Sequence, residues 1–246
     1  MSKLSPEELE RYDRQMSIQG WGQKSQELLK SSKVLVVGVG GLGCPVSLYL
    51  AAAGVGHLIL VDRGRFELSN LNRQILGQTS DIGRLKVEVA KERLLALNPE
   101  ITVDALAMEI TDDNAKDLVH GVDVVVDCLD NWRTRFILNE ACVKEKRPLI
   151  HAGVSEFHGQ LTTIIPGKTP CLRCIFPENP PERERIPVLG ATPALLASLE
   201  VMETIKLITG IGTPLAGKLL YVDGKDMDFA VIEVKKNPNC TVCRNV

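Results

Sequence analysis

The 246 residues are 44% hydrophobic and 24% charged, the balance of a globular chain with a core and not of a disordered or fibrous one. Lys plus Arg (29) nearly equals Asp plus Glu (31), and only 4% of residues are aromatic, so neither a basic face for nucleic-acid phosphates nor a base-stacking platform is expected. No apolar run reaches the length of a membrane span, the N-terminus lacks a signal peptide's apolar stretch, and seven cysteines without an export signal point to the reducing cytoplasm and no membrane partner.

Ser5-Pro6-Glu7-Glu8 combines an N-cap serine, proline at the first helical position and glutamate at the third, so a helix is predicted from there through Arg11, Tyr12, Asp13 and Arg14. A second short helix follows over roughly Gln23 to Leu29. Lys33 to Val37 is a β-branched run closed by glycine and reads as a buried strand. A turn over Gly38 to Gly43, a helix from Pro45 to Ala53 ended by Gly54, and a second strand from His57 to Val61 come next. A polar loop from Arg63 to Gly83 leads to a helix over Leu85 to Leu97, stopped by Asn98-Pro99. Strands are predicted at Ile101 to Leu106, Val122 to Cys128 and Leu149 to Val154, with a helix over Asn131 to Glu145. Beyond residue 155 the style changes, with an antiparallel strand at Gly159 to Ile165 and a Pro- and charge-rich stretch from Gly167 to Pro187. A helix over Ala191 to Thr209 and a hairpin of Leu219 to Val222 with Phe229 to Val234 complete the chain. Strands alternating with helices at this spacing predict a doubly wound, mostly parallel Rossmann-like α/β sheet with antiparallel C-terminal strands.

Gly38-Val-Gly-Gly-Leu-Gly43 lies after a strand and before a helix. Gly40 and Gly41 allow the backbone to approach a phosphate, which helix N-terminal amides would meet. Asp62 ends the next strand, where an acidic residue can hold a ribose hydroxyl. These features fit NAD as well as ATP. The following loop separates the two. Ser69, Asn70, Leu71, Asn72, Arg73 and Gln74 gather amides, a hydroxyl and a guanidinium, Lys86 opens the next helix, and Asp130-Asn131 follow the strand ending at Cys128. Two cations and a strand-end carboxylate suit a triphosphate with Mg2+, the cations neutralising phosphate oxygens and Asp130 anchoring the metal.

GVGGLG, Asp62, SNLNRQ, Lys86 and the CLDN at Cys128 to Asn131 resemble the MoeB/ThiF/HesA family, adenylyltransferases related to ubiquitin-activating enzymes. The resemblance continues through CLRC at Cys171 to Cys174, LEVMETIKLITG at Leu199 to Gly210 and the terminal CTVC, and it is nearest the molybdopterin-synthase branch. It implies ATP-dependent adenylylation of the C-terminal glycine carboxylate of a small ubiquitin-fold sulfur carrier ending in Gly-Gly, giving an acyl adenylate and pyrophosphate. It further implies a homodimer in which Arg14 reaches the partner subunit's triphosphate, with Asn70 helping to hold the nucleotide. One adenylyltransferase domain would then span 1–246, with N-terminal helices (1–32), a nucleotide-binding half (33–155) and a zinc-bearing, carrier-binding half (156–246). Many relatives carry a cysteine before the late helix; here Glu182 to Ala191 has none, so a thioester there is excluded and sulfur would come from a separate donor protein.

The two CxxC pairs, Cys171/Cys174 and Cys240/Cys243, supply the four thiolates of a closed, structural zinc site. The remaining Cys44, Cys128 and Cys142 read as small core residues without an activating base. His57, His120, His151 and His158 show no catalytic spacing to a cysteine or carboxylate and read as structural or exposed, with His151 and His158 nearest the presumed carrier side. Trp21 and Trp132 read as packing residues, Trp132 close enough to Asp130 to line the adenylate pocket. Competing expectations are activation of a small molecule or a modified tRNA base on the same fold, a nucleotide-binding scaffold without turnover, and an NAD dehydrogenase.

Overall fold

The computed structural model describes residues 3–181 and 185–246. In chain order the helices are α1 (Pro6–Arg11), α2 (Asp13–Met16), α3 (Gly22–Ser31), α4 (Gly43–Ala53), α5 (Lys86–Leu97), α6 (Ala115–Val119), α7 (Trp132–Lys144), α8 (Leu172–Ile175) and α9 (Ala191–Thr209). The strands are β1 (Lys33–Val37), β2 (His57–Val61), β3 (Thr102–Leu106), β4 (Val124–Asp127), β5 (Leu149–Ser155), β6 (His158–Ile164), β7 (Lys218–Asp223) and β8 (Asp228–Glu233).

Among the described residues the eight strands join one sheet in the order β3-β2-β1-β4-β5-β6-β7-β8. Pairings from β3 to β5 are parallel, and those from β5 to β8 antiparallel. Alternate residues of β1 serve two cores. Val34 and Val36 meet α3, α4, α5 and α9 through Leu29, Leu50, Leu94 and Leu196. Leu35 and Val37 face α6, α7 and the cysteine-bearing segments. The outermost strand, β8, is exposed along its whole length.

Local chemistry explains the boundaries. Ser5 N–H donates to Glu8 Oε2 at 2.7 Å while Glu8 N–H donates to Ser5 Oγ at 3.2 Å, the reciprocal cap that starts α1. The predicted continuation through Arg14 breaks at Tyr12, whose buried hydroxyl accepts a hydrogen bond from Asn98 Nδ2 at 2.8 Å. Gly54 (φ 86°) and Gly210 (φ 72°) close α4 and α9 in the left-handed conformation that favours glycine. The predicted helix from Pro45 begins two residues earlier, at Gly43, which leaves Pro45 in the first turn, where its missing N–H is harmless. α6 and α8 were not legible, because five and four residues are too short to show a helical period. No helix among the described residues is long and apolar enough to cross a membrane.

Candidate active site

The sheet order reverses between β1 and β4, and a cleft of 1110 Å³ opens at the carboxyl ends of these strands. The glycine loop forms its floor. Gly38 adopts φ 93°, and a Cβ there would lie 2.6 Å from Cys128 O. A Cβ on Gly43 would come within 1.8 Å of Gly38 O, so Gly43 serves the packing of α4 against the turn and lies outside the wall. Around Gly40 the space is open, with Gln74 Nε2 at 3.9 Å from a hypothetical Cβ.

Asp62 organises this floor from the end of β2. Its Oδ2 accepts from Val39 N–H at 2.7 Å and its Oδ1 from Gly64 N–H at 2.6 Å, which ties the glycine loop to the start of the polar loop. Lys86 Nζ lies 3.3 Å from where a Cβ on Gly64 would stand, so the ammonium sits beside the same turn. Arg73 is folded back, its Nη1 donating to Ser69 O and to Asn72 Oδ1, both at 2.9 Å, while its aliphatic stem lies against Gly41. Gly38, Gly40, Gly41, Asp62, Ser69, Arg73, Gln74, Lys86, Asp130 and Asn131 all line the cleft. Asn70, Leu71 and Asn72 do not: Asn70 is buried, and its Oδ1 accepts from Glu67 N–H at 3.1 Å to close the loop's first turn. Arg14 is exposed on α2 and is not part of this cleft.

On the far side, β4 delivers Asp130 to the cleft, and Asn131 caps α7 by accepting from Thr134 N–H at 2.9 Å. Trp132 lines the cleft and packs on Phe136 and Phe176, with ring centroids 5.7 and 4.8 Å away. Each of the four histidines, read from the sequence as structural or exposed, lies beside a carboxylate distant in the chain. His151 Nδ1 lies 2.7 Å from Asp127 Oδ2 with both side chains fully buried; His57 pairs with Asp104 (2.7 Å), His120 with Glu145 (2.9 Å) and His158 with Asp223 (3.6 Å). Three of these pairs join neighbouring strands, and strand register is invisible to spacing along the chain. Burial lowers the His151 pKa against the raising effect of Asp127, so the imidazole is neutral and donates from Nδ1.

Cys44, Cys128 and Cys142 are buried, as expected, and burial raises all three pKa values, that of Cys44 to about 12. None has the lowered pKa of a nucleophile. The four CxxC sulfurs behave differently. They lie within 4.8 Å of one another, with Cys171 to Cys240 at 3.7 Å and Cys174 to Cys243 at 3.4 Å. A tetrahedral shell with bonds of about 2.3 Å requires sulfur separations of about 3.8 Å, so the cluster could hold zinc. Burial raises the Cys171 thiol to about 11; at Cys240 burial also acts upward but is outweighed by N–H groups of Cys243 and Val242 aimed at the sulfur, which bring it down to about 7.

The crossover segment supplies a roof that motif reading missed. Pro181, Arg185, Ile186 and Val188 line the cleft, and Glu156 N–H donates to Pro187 O at 2.5 Å while Leu189 N–H donates to Glu156 O at 3.2 Å. Glu182, Arg183 and Glu184 of that segment lie outside the described residues.

The sequence pattern of the ThiF family matches residues 12–242, nearly the whole chain. The chain belongs to the ThiF family. Among relatives in it, the heterocyst HesA protein of Trichormus variabilis is 46% identical over 246 residues, covering 100% of this chain and 92% of the relative. The sulfur carrier protein adenylyltransferase of Thermus thermophilus is 43% identical over 252 residues, covering 98% and 93%. Among solved structures, E. coli MccB with ATP superposes with a TM-score of 0.86 at 30% identity, covering 96% of this chain and 75% of MccB. MccB with MccA-N7isoASN gives 0.88 at 29% identity, covering 98% and 76%. This kinship makes the ThiF-family chain an adenylyltransferase and leaves its acceptor open.

Proposed function

We propose that the chain uses ATP to adenylylate the C-terminal glycine carboxylate of a small ubiquitin-fold sulfur carrier ending in Gly-Gly. The observation that carries this is the convergence of Asp62, Arg73, Lys86 and Asp130 on one cleft at the sheet's switch point. The Thermus relative's name supports the carrier as acceptor. The chemistry needs no general base, because a terminal carboxylate is ionised at neutral pH. Its oxygen attacks the α-phosphorus; the bond to the bridging oxygen breaks, and the electron pair leaves with pyrophosphate. The barrier is electrostatic, an anion approaching a polyanion, and Lys86 and Arg73, which line the cleft, would offset it. Asp130 offers the cleft-facing carboxylate with which Mg2+ is commonly held alongside phosphate oxygens, and the ion would supply further charge stabilisation there. Asp62 would hold the ribose and the glycine loop the phosphates. Arg14, which is exposed and does not line its own cleft, would serve the site of a second copy in a homodimer. Cys171, Cys174, Cys240 and Cys243 would hold structural zinc. With no cysteine between Glu182 and Ala191, a separate donor protein would deliver sulfur to the acyl adenylate, in the cytoplasm.

The test is carrier-dependent exchange of labelled pyrophosphate into ATP. Exchange should require the carrier's intact Gly-Gly end and should vanish in Asp130→Ala. Exchange without carrier would overturn the acceptor, and an active Asp130→Ala would overturn the metal role.

A further inference from the structure

β4 ends at Asp127, and the proposed metal carboxylate, Asp130, stands free of the strand at the end of a short turn. What fixes this turn is the peptide chemistry of Leu129. Its N–H donates to Asp127 Oδ1 at 3.1 Å, and its carbonyl accepts from Arg135 Nη2. The same Nη2 donates to Ala152 O on β5 at 3.0 Å, so Arg135, reaching back from α7, ties the turn to the next strand. Asp127 Oδ2 is occupied by His151 Nδ1. Asp127 and His151 are fully buried, and Arg135 is 6% exposed.

We propose that Asp127, His151 and Arg135 form a buried brace of positioning residues that holds the Leu129–Asp130 turn in the geometry needed to bind the nucleotide's divalent cation. This rests on the adenylylation reading and on the place of Asp130 in it. The brace is delicately balanced. Among the described residues Arg135 Nε has no hydrogen-bond partner, and it makes a long ion pair of 3.7 Å with Asp127 Oδ2. Without its imidazole donor the buried carboxylate would be drawn closer to that guanidinium, because a buried charge short of hydrogen-bond donors is costly. The pull would take Arg135 off Leu129 O or turn Asp127 Oδ1 away from Leu129 N–H, and either movement loosens the turn carrying Asp130. His151 prevents this by occupying Oδ2. Its own Nε2 faces Gln160 Nε2 at 3.4 Å, so the neutral ring has an acceptor side and a donor side, each with a partner. Asp127 and His151 stand outside the cleft lining, whereas Arg135 also lines it.

The experiment measures Mn2+ binding, by the paramagnetic resonance of the free ion, to full-length protein with a non-hydrolysable ATP analogue, beside the kinetics of pyrophosphate exchange. His151→Phe keeps the ring's bulk and removes the donor; His151→Asn keeps an N–H for Asp127. The expected result for His151→Phe is tenfold or greater loss of Mn2+ affinity and a fall in kcat with KM for carrier within twofold. His151→Asn should recover Mn2+ affinity to within threefold of the parent. Unchanged Mn2+ affinity in folded His151→Phe overturns the brace. Should that variant not fold, Asp127→Asn is read in the same way, and failure of both to fold overturns the positioning role in favour of a purely structural one. Asp130→Ala separates the levels. Full Mn2+ affinity there unseats the reading of Asp130 itself, whereas loss there with none in the brace variants refutes only the brace.

Discussion

Replacing Cys240 and Cys243 together with serine should cost a definite and calculable amount of stability. The two CxxC pairs join segments 69 residues apart, as Cys171–Cys240 and Cys174–Cys243. If a metal closes that loop, the chain-entropy relation for a cross-link of this length gives about 4 kcal/mol at 25 °C. For a chain of this size each kcal/mol moves the melting temperature by about 2 °C, so a fall of about 8 °C is expected. Besides the cysteines, the chain end is held by Val242 and Val246, which pack against the core, and by Asn237 N–H, which reaches Cys174 Sγ at 3.4 Å, while Lys236 Nζ bonds the terminal segment's own Val246 O at 2.7 Å. Zinc content by mass spectrometry and melting by calorimetry are the paired assays. The parent should carry one zinc per chain and the double variant none. Zinc loss with a melting temperature unchanged to within a degree or two would refute the cross-link reasoning, and a zinc-free parent would refute the site.

Lys86→Ala should lower kcat for pyrophosphate exchange by about 10²–10³-fold, the cost of removing one preorganised charge at a developing anion; a change under tenfold would remove Lys86 from the reaction. Gly43→Ala places a methyl 1.8 Å from Gly38 O and should abolish ATP binding in isothermal titration, since the loop or α4 must move to admit it. Mixing Arg14→Ala with Lys86→Ala should raise exchange well above that of either variant alone, because one site of a mixed dimer would then be intact; no recovery would assign Arg14 to its own chain or to none. Burial first, and then the charge of Asp127, hold the fully buried Glu200 carboxyl well above its ordinary 4.5. Above that pH the unfolded chain releases this proton while the folded one keeps it, so Glu200 stabilises less as pH rises. Glu200→Gln should therefore gain melting temperature relative to the parent on going from pH 5 to pH 8; a constant difference would show that Glu200 is ionised in the fold.

What the sequence disclosed and what it hid divide along a physical line. Features written in contiguous residues were legible: the β-branched run of β1, the capping box at Ser5 and Glu8, the glycine loop whose steric need for Gly38 and Gly43 the fold explains, and the two CxxC pairs that meet across the chain. Asp130, Lys86 and Arg73 were legible as strand-end and loop polar groups because an open α/β sheet presents such ends on one edge. Hidden were the relations set by register. His151 meets Asp127 because β4 and β5 place the two side by side, a pairing that no spacing of 24 residues announces. Arg135 looks like a surface residue of an amphipathic helix, yet it is buried and spans from Leu129 to Ala152. The roof over the cleft was hidden for a related reason: Ile186 and Val188 line it because Glu156 pairs with the backbone around them, and backbone pairing leaves little trace in side-chain identity. Many residues that line the cleft were thus readable from local chemistry, while the buried groups behind them emerged only once the strands were laid side by side. Behind the motif residues lies a second, buried layer, His151 on Asp127 and Arg135 on Leu129, that register alone brings together.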